Sequence, residues 1–333
     1  MQPKDRKVLD RKTGTLIFRI FRGQEGQLQD RPFFRNEVGP QFDGWSVLRF
    51  YSSRYRHSPR TRWRSWIEEG RIRLNGKPAH ADDLLTSGDV LIFYREERPE
   101  PPVDPGYQVI HEDDHVIVVD KPAGLPVMPS GVFFRNTLLH MLRSEREGVT
   151  IHPAHRLDIG TTGLVIFTKT REAAGLLARA FRERRVTKEY RAILSGCLER
   201  EETVNVPTGR THDPARRFSY GVTVSGKESL TIFTPLECFT QHDLTLVKAV
   251  PRTGRVHQIR IHAAHIGHPV LGDSLYGERL PYGSVAGGRL ALHSSVIEFP
   301  HPLGDKQFES TPPDWFGGPF KSDNSIDKHA ASG

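Results

Sequence analysis

Short apolar strands follow one another between residues 107 and 315, with turns between them and only a few helices. Apolar or alternating runs predict strands at 116–119, 164–167, 188–194 and 244–250. Helical spacing of apolar residues predicts helices at 171–185 and 256–268. No regular β–α–β rhythm links these elements. The segment therefore predicts an α+β domain built on a mixed, largely antiparallel sheet.

A proline-rich segment divides the chain. "REERPEPPVDPG" at 95–106 contains four prolines and charges of both signs, so an extended and semi-rigid connection is expected. The polar carboxyl end is expected to be disordered. The expected organisation is an N-terminal extension (1–40), a small module (41–98), a linker (99–106), a larger domain (107–315) and a disordered tail (316–333).

Composition limits the class of protein. Of the 333 residues, 36% are hydrophobic and 26% are charged, which suits a globular chain of about two domains. No apolar run approaches the roughly 20 residues of a membrane span, and the charged amino terminus lacks the apolar core of a secretory signal. The two cysteines, Cys197 and Cys238, can form one bridge but no disulfide framework, which favours a reducing compartment. We therefore expect a cytoplasmic protein without a membrane partner.

The basic charge of the chain is concentrated in one segment. Nine Arg or Lys and two Glu lie between Arg49 and Lys77, an excess of seven that equals the net charge of +7 for the whole chain. The same segment predicts a helix with an apolar stripe, followed by a hairpin at "NG" and a closing strand, "GDVLIFY". The sequence thus indicates a compact helix-hairpin module that carries most of the positive charge.

Arg60 and Arg64 lie four residues apart on this helix, near Arg56, which precedes the expected N-cap Ser58. Trp63, Trp66 and Ile67 lie on its apolar stripe, opposite the basic face. A run of one charge sign beside an apolar face favours binding to RNA or DNA. The alternative is an ordinary solvated helix face.

Four histidines at 257, 262, 265 and 268 raise the alternative of a metal-dependent hydrolase. No "HExxH" pattern or neighbouring cysteine pair accompanies them, so capping or structural roles are preferred. Glycine-rich nucleotide-binding patterns and the "GxSxG" nucleophile turn are absent as well. No metal and no cofactor is expected.

The stretch "AHRLDIGTTGLVIFTKT" at 154–170 places His155, Arg156 and Asp158 within four residues, on a glycine-bounded turn before an apolar strand. A carboxylate at such a turn either caps the backbone or does chemistry. The residue types alone leave both interpretations open. His155 is expected to be structural.

Five stretches in a fixed order carry a family resemblance. They are "DHVIVVDKPAGLPVMP", "HRLDIGTTGLVIF", "KEYRAIL", "PRTGRVHQIRIHAAHIGHPVLGDSLYG" and "LALHSSVIEFPHP". Together they closely resemble the RluA-type RNA pseudouridine synthases over nearly all of residues 107–302. The departures are small: Thr162 stands where serine is more usual, Met128 where histidine is, and Val256 where threonine is. Residues 58–94 resemble the RNA-binding module of ribosomal small-subunit protein four, although the first helix of the module, "GWSVLRFYSSRY", is less typical.

This resemblance implies the pseudouridine synthase fold and a role for each of five residues. Asp158 matches the catalytic aspartate, which attacks a uridine or promotes elimination so that the base detaches, rotates and rejoins the ribose through carbon 5. Tyr190 matches the tyrosine that packs on the target base, and Arg260 the arginine that pairs with the aspartate. Arg156 matches the arginine that fills the gap left by the flipped nucleotide, and Leu292 an apolar wall beside the base. The family needs no cofactor or metal.

Other roles for these residues are kept as alternatives. Asp158 can cap its own turn, Tyr190 can be an ordinary strand aromatic, and Arg260 can pair with another acid. Arg156 can simply bind phosphate. The expected function is isomerisation of uridines in structured RNA, either ribosomal or transfer RNA, by a monomer. A non-catalytic RNA-binding protein on the same fold is the alternative.

Overall fold

The computed structural model describes residues 33–56, 58–95, 99–213, 216–277 and 289–316. Contacts divide the chain between Pro99 and Glu100 into two compact units. Residues 1–32 of the expected extension and residues 317–333 of the expected tail lie outside the described part of the chain.

The N-terminal unit combines two helices with a small antiparallel sheet. The helices are α1 (Val47–Arg54) and α2 (Arg60–Glu68). The strands are β1 (Phe33–Glu37), β2 (Ile72–Leu74), β3 (Lys77–Pro78) and β4 (Val90–Tyr94). The strand order is β1-β4-β2-β3. We expected residues up to 40 to form a separate extension; because β1 pairs with β4 along its whole length, residues 33–37 instead belong to the sheet of this unit.

Aromatic packing forms the core of this unit. The ring of Trp63 stacks on Tyr51 with centroids 4.8 Å apart and meets Phe93 edge-on at 5.2 Å. All three residues are buried, as is Ile67 one turn further along α2. The apolar stripe expected on α2 therefore faces the core, because large aromatic side chains lose most contact with water when they cover a small sheet.

A two-residue turn joins β2 to β3. Asn75 and Gly76 both have positive φ, 50° and 84°, which is the conformation that a tight hairpin requires. The Asn75 side chain donates to Asp89 and accepts from the backbone N–H of Val90, so the turn is also tied to β4. These contacts explain why the sequence signal for a hairpin is realised here.

The C-terminal unit contains twelve described strands and three described helices. The first strands are β5 (Gln108–Glu112), β6 (Val116–Lys121), β7 (His152–Pro153), β8 (Thr162–Thr168), β9 (Thr187–Ser195) and β10 (Glu202–Asn205). The next are β11 (Thr208–Asp213), β12 (Arg216–Val222), β13 (Leu230–Phe239), β14 (Leu244–Pro251), β15 (Leu292–Phe299) and β16 (Lys306–Glu309). The helices are α3 (Leu138–Glu145), α4 (Arg171–Arg182) and α5 (Gln258–His265).

Ten of these strands form one sheet in the order β10-β13-β14-β9-β15-β8-β6-β5. Strand β16 joins at β15 and strand β7 at β8, whereas β11 and β12 form a separate two-stranded sheet. Every described pair is antiparallel except β8 with β15, which is parallel. The prediction of a mixed, largely antiparallel α+β domain is confirmed.

Both faces of the central strands are covered. On one face, Val118 and Ile166 pack with α4 through Leu177. On the other face, Val119 and Phe167 belong to a cluster that includes three leucines of α3, Leu138, Leu139 and Leu142. Burial on both faces explains why the sequence of these strands is continuously apolar rather than alternating.

The helices end earlier than the sequence predicts. Helix α4 ends at Arg182 rather than 185, and Arg184 has a left-handed φ of 59°. Helix α5 begins at Gln258 and ends at His265, between two residues with positive φ, His257 and Gly267. A left-handed residue cannot continue a right-handed helix, which sets these limits.

The linker is fastened to the C-terminal unit. The Glu100 carboxylate accepts hydrogen bonds from the backbone N–H groups of Phe134, Arg135 and Asn136, at 2.8–3.0 Å. Burial opposes ionisation of this carboxyl, but the three N–H donors outweigh burial and keep the pKa of Glu100 below its ordinary value. Residues 100 and 101 are therefore held against the domain rather than acting as a free spacer.

The two cysteines, whose small number led us to expect a reducing compartment, are bonded to each other. Cys197 and Cys238 are joined by a disulfide bond, with Cα atoms 5.8 Å apart. This bridge connects the end of β9 to β13, next to the pairing of β13 with β14. In the part of the chain that the structure describes, no helix has the length and apolar character needed to cross a bilayer.

Replacing Gly163 by alanine tests the close approach of β8 and β15. Gly163 has φ of 101°, and a Cβ atom there would lie 2.3 Å from the carbonyl oxygen of Ser294. The variant is expected to lose more than about 2 kcal/mol of unfolding free energy, because it combines backbone strain with a backbone clash. Gly148→Ala is the matched control: its φ is also positive, at 79°, but nothing lies within 4 Å of the new Cβ. The control should lose only about 1 kcal/mol, and equal losses in urea titrations of the two variants would contradict a steric role for Gly163.

Candidate active site

The turn that carries Asp158 lies between β7 and β8, and a buried lysine holds it through hydrogen bonds. The Asp158 carbonyl accepts from the N–H of Thr161 at 3.1 Å. Lys121 is fully buried, and its Nζ donates to the carbonyl oxygens of Ile159, at 3.1 Å, and Pro122, at 2.8 Å. Burial lowers the pKa of Lys121 to about 7, although the nearby Asp158 and Asp120 charges oppose that shift. The lysine thus ties the aspartate turn to the end of β6.

The loop before α5 is closed by Gln258, the first residue of that helix. Its Oε1 accepts from the Thr253 hydroxyl at 2.7 Å and from the N–H of Arg255 at 3.0 Å. Its Nε2 donates to the Leu230 carbonyl and the Thr231 hydroxyl, both at 3.0 Å. Because four bonds lock this side chain, the start of α5 has a fixed position relative to the sheet.

Arg260 connects two carboxylates. Its Nε and Nη2 donate to Asp273 at 2.6 and 2.7 Å, in a bidentate pair, and its Nη1 donates to Asp158 Oδ2 at 3.1 Å. The Arg260 side chain is 8% exposed and that of Asp273 is fully buried. The expected pairing of Arg260 with Asp158 is present, but the same guanidinium also pairs with another acid, so both interpretations of Arg260 apply at once.

The partners of Asp273 keep it ionised despite its burial. Burial alone raises the pKa of a carboxyl, but bonds from Arg260 and from the N–H groups of Leu275 and Tyr276 outweigh it and hold the pKa of Asp273 below its ordinary value. This pair therefore stabilises the fold at neutral pH, and its contribution is lost as the pH falls through the lowered pKa.

A histidine and a tyrosine complete the surroundings of the aspartate. His257 Nε2 lies 3.7 Å from Asp158 Oδ1, and His257 Nδ1 is 2.8 Å from the hydroxyl of Tyr276. The Arg260 guanidinium lies 5.2 Å from the centre of the Tyr276 ring. Oδ2 of Asp158 therefore faces the Arg260 cation, whereas Oδ1 faces His257, which is a cation only when it is protonated.

Tyr190 and Leu292 lie beside one another on the sheet. Tyr190 pairs with Ser294, and Leu292 pairs with Ala192, so Tyr190 and Leu292 are diagonal neighbours on one face of β9 and β15. They are 8% and 4% exposed and belong to the same apolar cluster. Burial raises the pKa of Tyr190 to about 12, and the nearby Asp158 charge adds to the shift. At neutral pH the tyrosine is therefore a protonated, largely apolar wall next to the carboxylate.

Arg156 and His155 point to different environments although they are adjacent. Arg156 is exposed, and its charge helps to lower the pKa of His257, which places it near the aspartate. His155 accepts from the N–H of Ile166 at 3.1 Å and packs on Phe181, and burial together with Lys188 lowers its pKa to about 3. His155 thus has the structural role expected from the sequence.

The other histidines of the α5 segment bind separate backbone partners or solvent. His262 contacts the Val206 carbonyl at 3.2 Å, His268 contacts the Ser195 carbonyl at 2.9 Å, and His265 is exposed. Among the described residues, no three His, Cys, Asp or Glu side chains are grouped so that they could hold a metal ion.

The three arginines of the module lie in the other unit. Arg56, Arg60 and Arg64 are exposed. Arg56 precedes α2, whereas Arg60 and Arg64 lie on α2 together with the buried Trp63 and Ile67. Because Arg60 and Arg64 are three residues from Trp63 and Ile67, respectively, the two arginines flank the apolar stripe rather than oppose it as expected.

Sequence reasoning did not predict that four residues surround the aspartate: Lys121, His257, Asp273 and Tyr276. All four fall inside the stretches that carry the family resemblance, and an arginine expected to be buried needs acids enough to balance it. That signal indicates that a second acid is required, but only the folded chain identifies it as Asp273.

Comparisons with known proteins agree with this arrangement. The sequence model of the RNA pseudouridylate synthase family matches residues 115–265. The chain is 33% identical over 283 residues to the ribosomal large subunit pseudouridine synthase D of Pseudomonas aeruginosa, a match that spans 80% of this chain and 87% of that protein. It is 32% identical over 297 residues to the tRNA pseudouridine(31) synthase of Saccharomyces cerevisiae, spanning 76% and 72%.

A solved structure also matches. Human RNA pseudouridylate synthase domain containing 1 aligns with a TM-score of 0.54 and 28% identity, covering 65% of this chain and 87% of that one. The relatives are matched over most of their length, and Asp158, Tyr190 and Arg260 lie within the residues that the family model matches. The chain therefore belongs to the RluA-type RNA pseudouridine synthases, isomerases that convert uridine in RNA to pseudouridine.

Proposed function

We propose that Asp158 is the group that begins the isomerisation of the target uridine. The observation that carries this role is the asymmetry of its carboxylate: Arg260 holds Oδ2 at 3.1 Å, while Oδ1 has no hydrogen bond as short among its described neighbours. A carboxylate kept in place by one oxygen can use the other as a nucleophile or base. The side chain is 22% exposed, so a substrate in the cleft can reach it.

Tyr190 and Leu292 are proposed to hold the flipped uracil. They form an apolar wall next to the carboxylate, and a base has two π faces that pack well on such side chains. A protonated tyrosine adds no charge to that wall, which favours a neutral base over a charged one. Arg156, exposed near the site, is proposed to stack in the gap that the flipped nucleotide leaves or to bind the adjacent phosphate.

The reaction balances without an external reagent. The bond between N1 of uracil and the ribose carbon breaks, the bond from carbon 5 to that carbon forms, carbon 5 loses a proton and N1 gains one. No electrons are gained or lost overall, so the site needs only to orient groups and move a proton. A carboxylate, an arginine and an apolar wall are sufficient for that task.

The helix-hairpin unit is proposed to bind the RNA backbone. Arg56, Arg60 and Arg64 are exposed and carry the same charge sign, and such a surface attracts phosphates. The proposed substrates are structured ribosomal or transfer RNAs, because the two relatives named above act on those classes. Mapping pseudouridines in RNA from cells that lack this chain identifies the target by the sites that disappear.

We further propose that the protein acts as a monomer in the cytoplasm, where reducing conditions would keep the paired Cys197 and Cys238 as thiols. The target uridine, the aspartate and the proposed RNA-binding face are all supplied by one chain and its substrate. Sedimentation of the free protein and of its RNA complex measures the oligomeric state directly.

Asp158→Asn separates chemistry from capping. Asparagine caps a turn about as well as aspartate but lacks the charge and the nucleophilic oxygen. We expect release of tritium from carbon 5 of labelled uridine in RNA to stop, with the melting temperature and RNA affinity near those of the unchanged protein. The control is Asp114→Asn, an exposed acid of the same domain, which should remain active. Tritium release by a folded Asp158→Asn protein would rule out the assignment.

Asp273→Asn and Arg260→Lys test the support of the carboxylate. Removing the charge of Asp273 leaves a buried guanidinium underpaired, which costs about 3–5 kcal/mol of stability. If Asp273→Asn lets Asp158 shift by about 1 Å, its turnover should fall by roughly 100-fold. Arg260→Lys keeps a positive charge without the planar fork, so it should retain only part of the activity. Turnover and unfolding are compared with Asp305→Asn, an exposed acid, and full turnover in both variants would show that another group positions Asp158.

Replacing Arg56, Arg60 and Arg64 together by alanine tests the RNA-binding face. If these side chains contact phosphates, each loss lowers the slope of log affinity against log salt by about 0.7–0.9. Turnover on saturating substrate should change little. Arg200→Ala, at a side chain that is 86% exposed in the other unit, is the control. An unchanged salt dependence in the triple variant would mean that this face does not contact RNA.

A further inference from the structure

The residue just before α5 has an unusual backbone conformation. His257 has φ of 54° and ψ of 21°, in the left-handed region that few residues other than glycine occupy. Its carbonyl accepts from the N–H of Ile261 at 2.9 Å, so the residue also starts the helix. Conformations of this kind cost about 1–3 kcal/mol and persist when surrounding contacts fix them.

The imidazole of His257 is fixed on two sides. Nδ1 lies 2.8 Å from the hydroxyl of Tyr276, and the ring of Tyr220, from β12, meets the imidazole with centroids 6.0 Å apart. Tyr276 in turn packs under the Arg260 guanidinium, the group that holds Asp158. The ring therefore cannot turn without disturbing neighbours that belong to the site.

The free nitrogen of this ring faces the free oxygen of the aspartate. Nε2 lies 3.7 Å from Asp158 Oδ1, whereas Oδ2 is taken by Arg260. The separation of 3.7 Å between Nε2 and Oδ1 exceeds that of a hydrogen bond, so Oδ1 stays available to a substrate. The fixed imidazole limits the directions in which Oδ1 can turn. In the tautomer with the proton on Nε2, Nδ1 accepts from the Tyr276 hydroxyl and Nε2–H points towards Oδ1.

We propose that His257 is a positioning residue of the active site: its neutral imidazole directs Oδ1 of Asp158 towards the substrate, and its protonated form captures that oxygen and stops the reaction. This inference rests on the proposed role of Asp158. It adds a condition on protonation that Arg260, which is always charged, does not supply.

The charges around the ring determine the direction of its titration. Burial lowers the pKa of His257, as do the positive charges of Arg260 and Arg156, while Asp158 and Asp273 raise it. The net result lies below the ordinary value of 6.5. Tyr276 and Tyr220 also face the ring. His257 is therefore neutral at pH 7 and becomes a cation as the pH falls below its lowered pKa.

Protonation would place a second cation on one carboxylate. The imidazolium and Arg260 would then hold one oxygen each, and neither oxygen would be free to act on uridine. The rate is thus expected to fall on the acid side because of His257. A purely structural histidine would change stability and leave the shape of the rate profile alone.

The test compares three variants of the full-length protein in single-turnover tritium release from pH 5 to 8. Asparagine tolerates left-handed backbone, so His257→Asn keeps the start of α5 while removing the titrating ring. We expect its rate at pH 7.5 to fall by about tenfold or more because Asp158 is less well positioned. We expect its RNA affinity to be unchanged and its acid limb to move to lower pH. Tyr276→Phe removes the hydroxyl that contacts Nδ1 of His257. Its rate should fall less than that of His257→Asn, and its acid limb should shift. His265→Asn, at the exposed end of the same helix, should match the unchanged protein.

The outcomes distinguish this inference from the proposed function. If Asp158→Asn is inactive but His257→Asn keeps both the rate and the acid limb, His257 has no positioning role. If Asp158→Asn is active, the role of Asp158 itself is wrong. Should His257→Asn melt at a lower temperature, His257→Gly, which adopts positive φ freely, replaces it. A slow His257→Gly protein with the original acid limb would also overturn the inference.

Discussion

The buried guanidinium of Arg260 is the interaction on which the active site depends. It is 8% exposed and holds the fully buried carboxylate of Asp273 through two bonds, with a third bond to Asp158. Removing one partner from such a buried pair costs about 3–5 kcal/mol, because the remaining charge is left without compensation. The start of α5, the loop after it and the turn before β8 must therefore come together for any of the three side chains to be buried. Asp273 also accepts from the N–H groups of Leu275 and Tyr276, so the same carboxylate shapes the loop that brings Tyr276 to His257.

The sheet supplies the rigid frame for this cluster. Strands β8 and β15 approach closely enough that a Cβ on Gly163 would collide with the backbone of Ser294. That approach sets the aspartate turn before β8 close to Leu292 at the start of β15, and β9 adds Tyr190 on the same face. Lys121, buried under the turn, completes the support from β6. Because these contacts join strands that are distant in sequence, the carboxylate is positioned by the core rather than by its own loop.

The two units offer chemically different surfaces for the proposed recognition of RNA. Positive charge concentrated between Arg49 and Lys77 suits long-range, salt-dependent attraction to phosphates, which is largely indifferent to sequence. In the other unit, Asp158 lies beside the buried Tyr190 and Leu292, and such side chains suit packing on a single extruded base. Under the proposed function, affinity for RNA in general and selection of one uridine therefore belong to different surfaces of the chain.

Local and family-level features of this protein are readable from its sequence. Continuous apolar runs predicted the central strands because both of their faces are buried, and the ordered motifs identified the family and predicted roles for Asp158, Tyr190 and Arg260. Which groups meet depends instead on the folded chain. Asp273 is one acid among the 40 acidic residues of the chain, and nothing local marks it as the partner of Arg260. The left-handed conformation of His257, the bridge between Cys197 and Cys238 and the strand order likewise depend on contacts between distant segments, whose energies no short stretch of sequence contains.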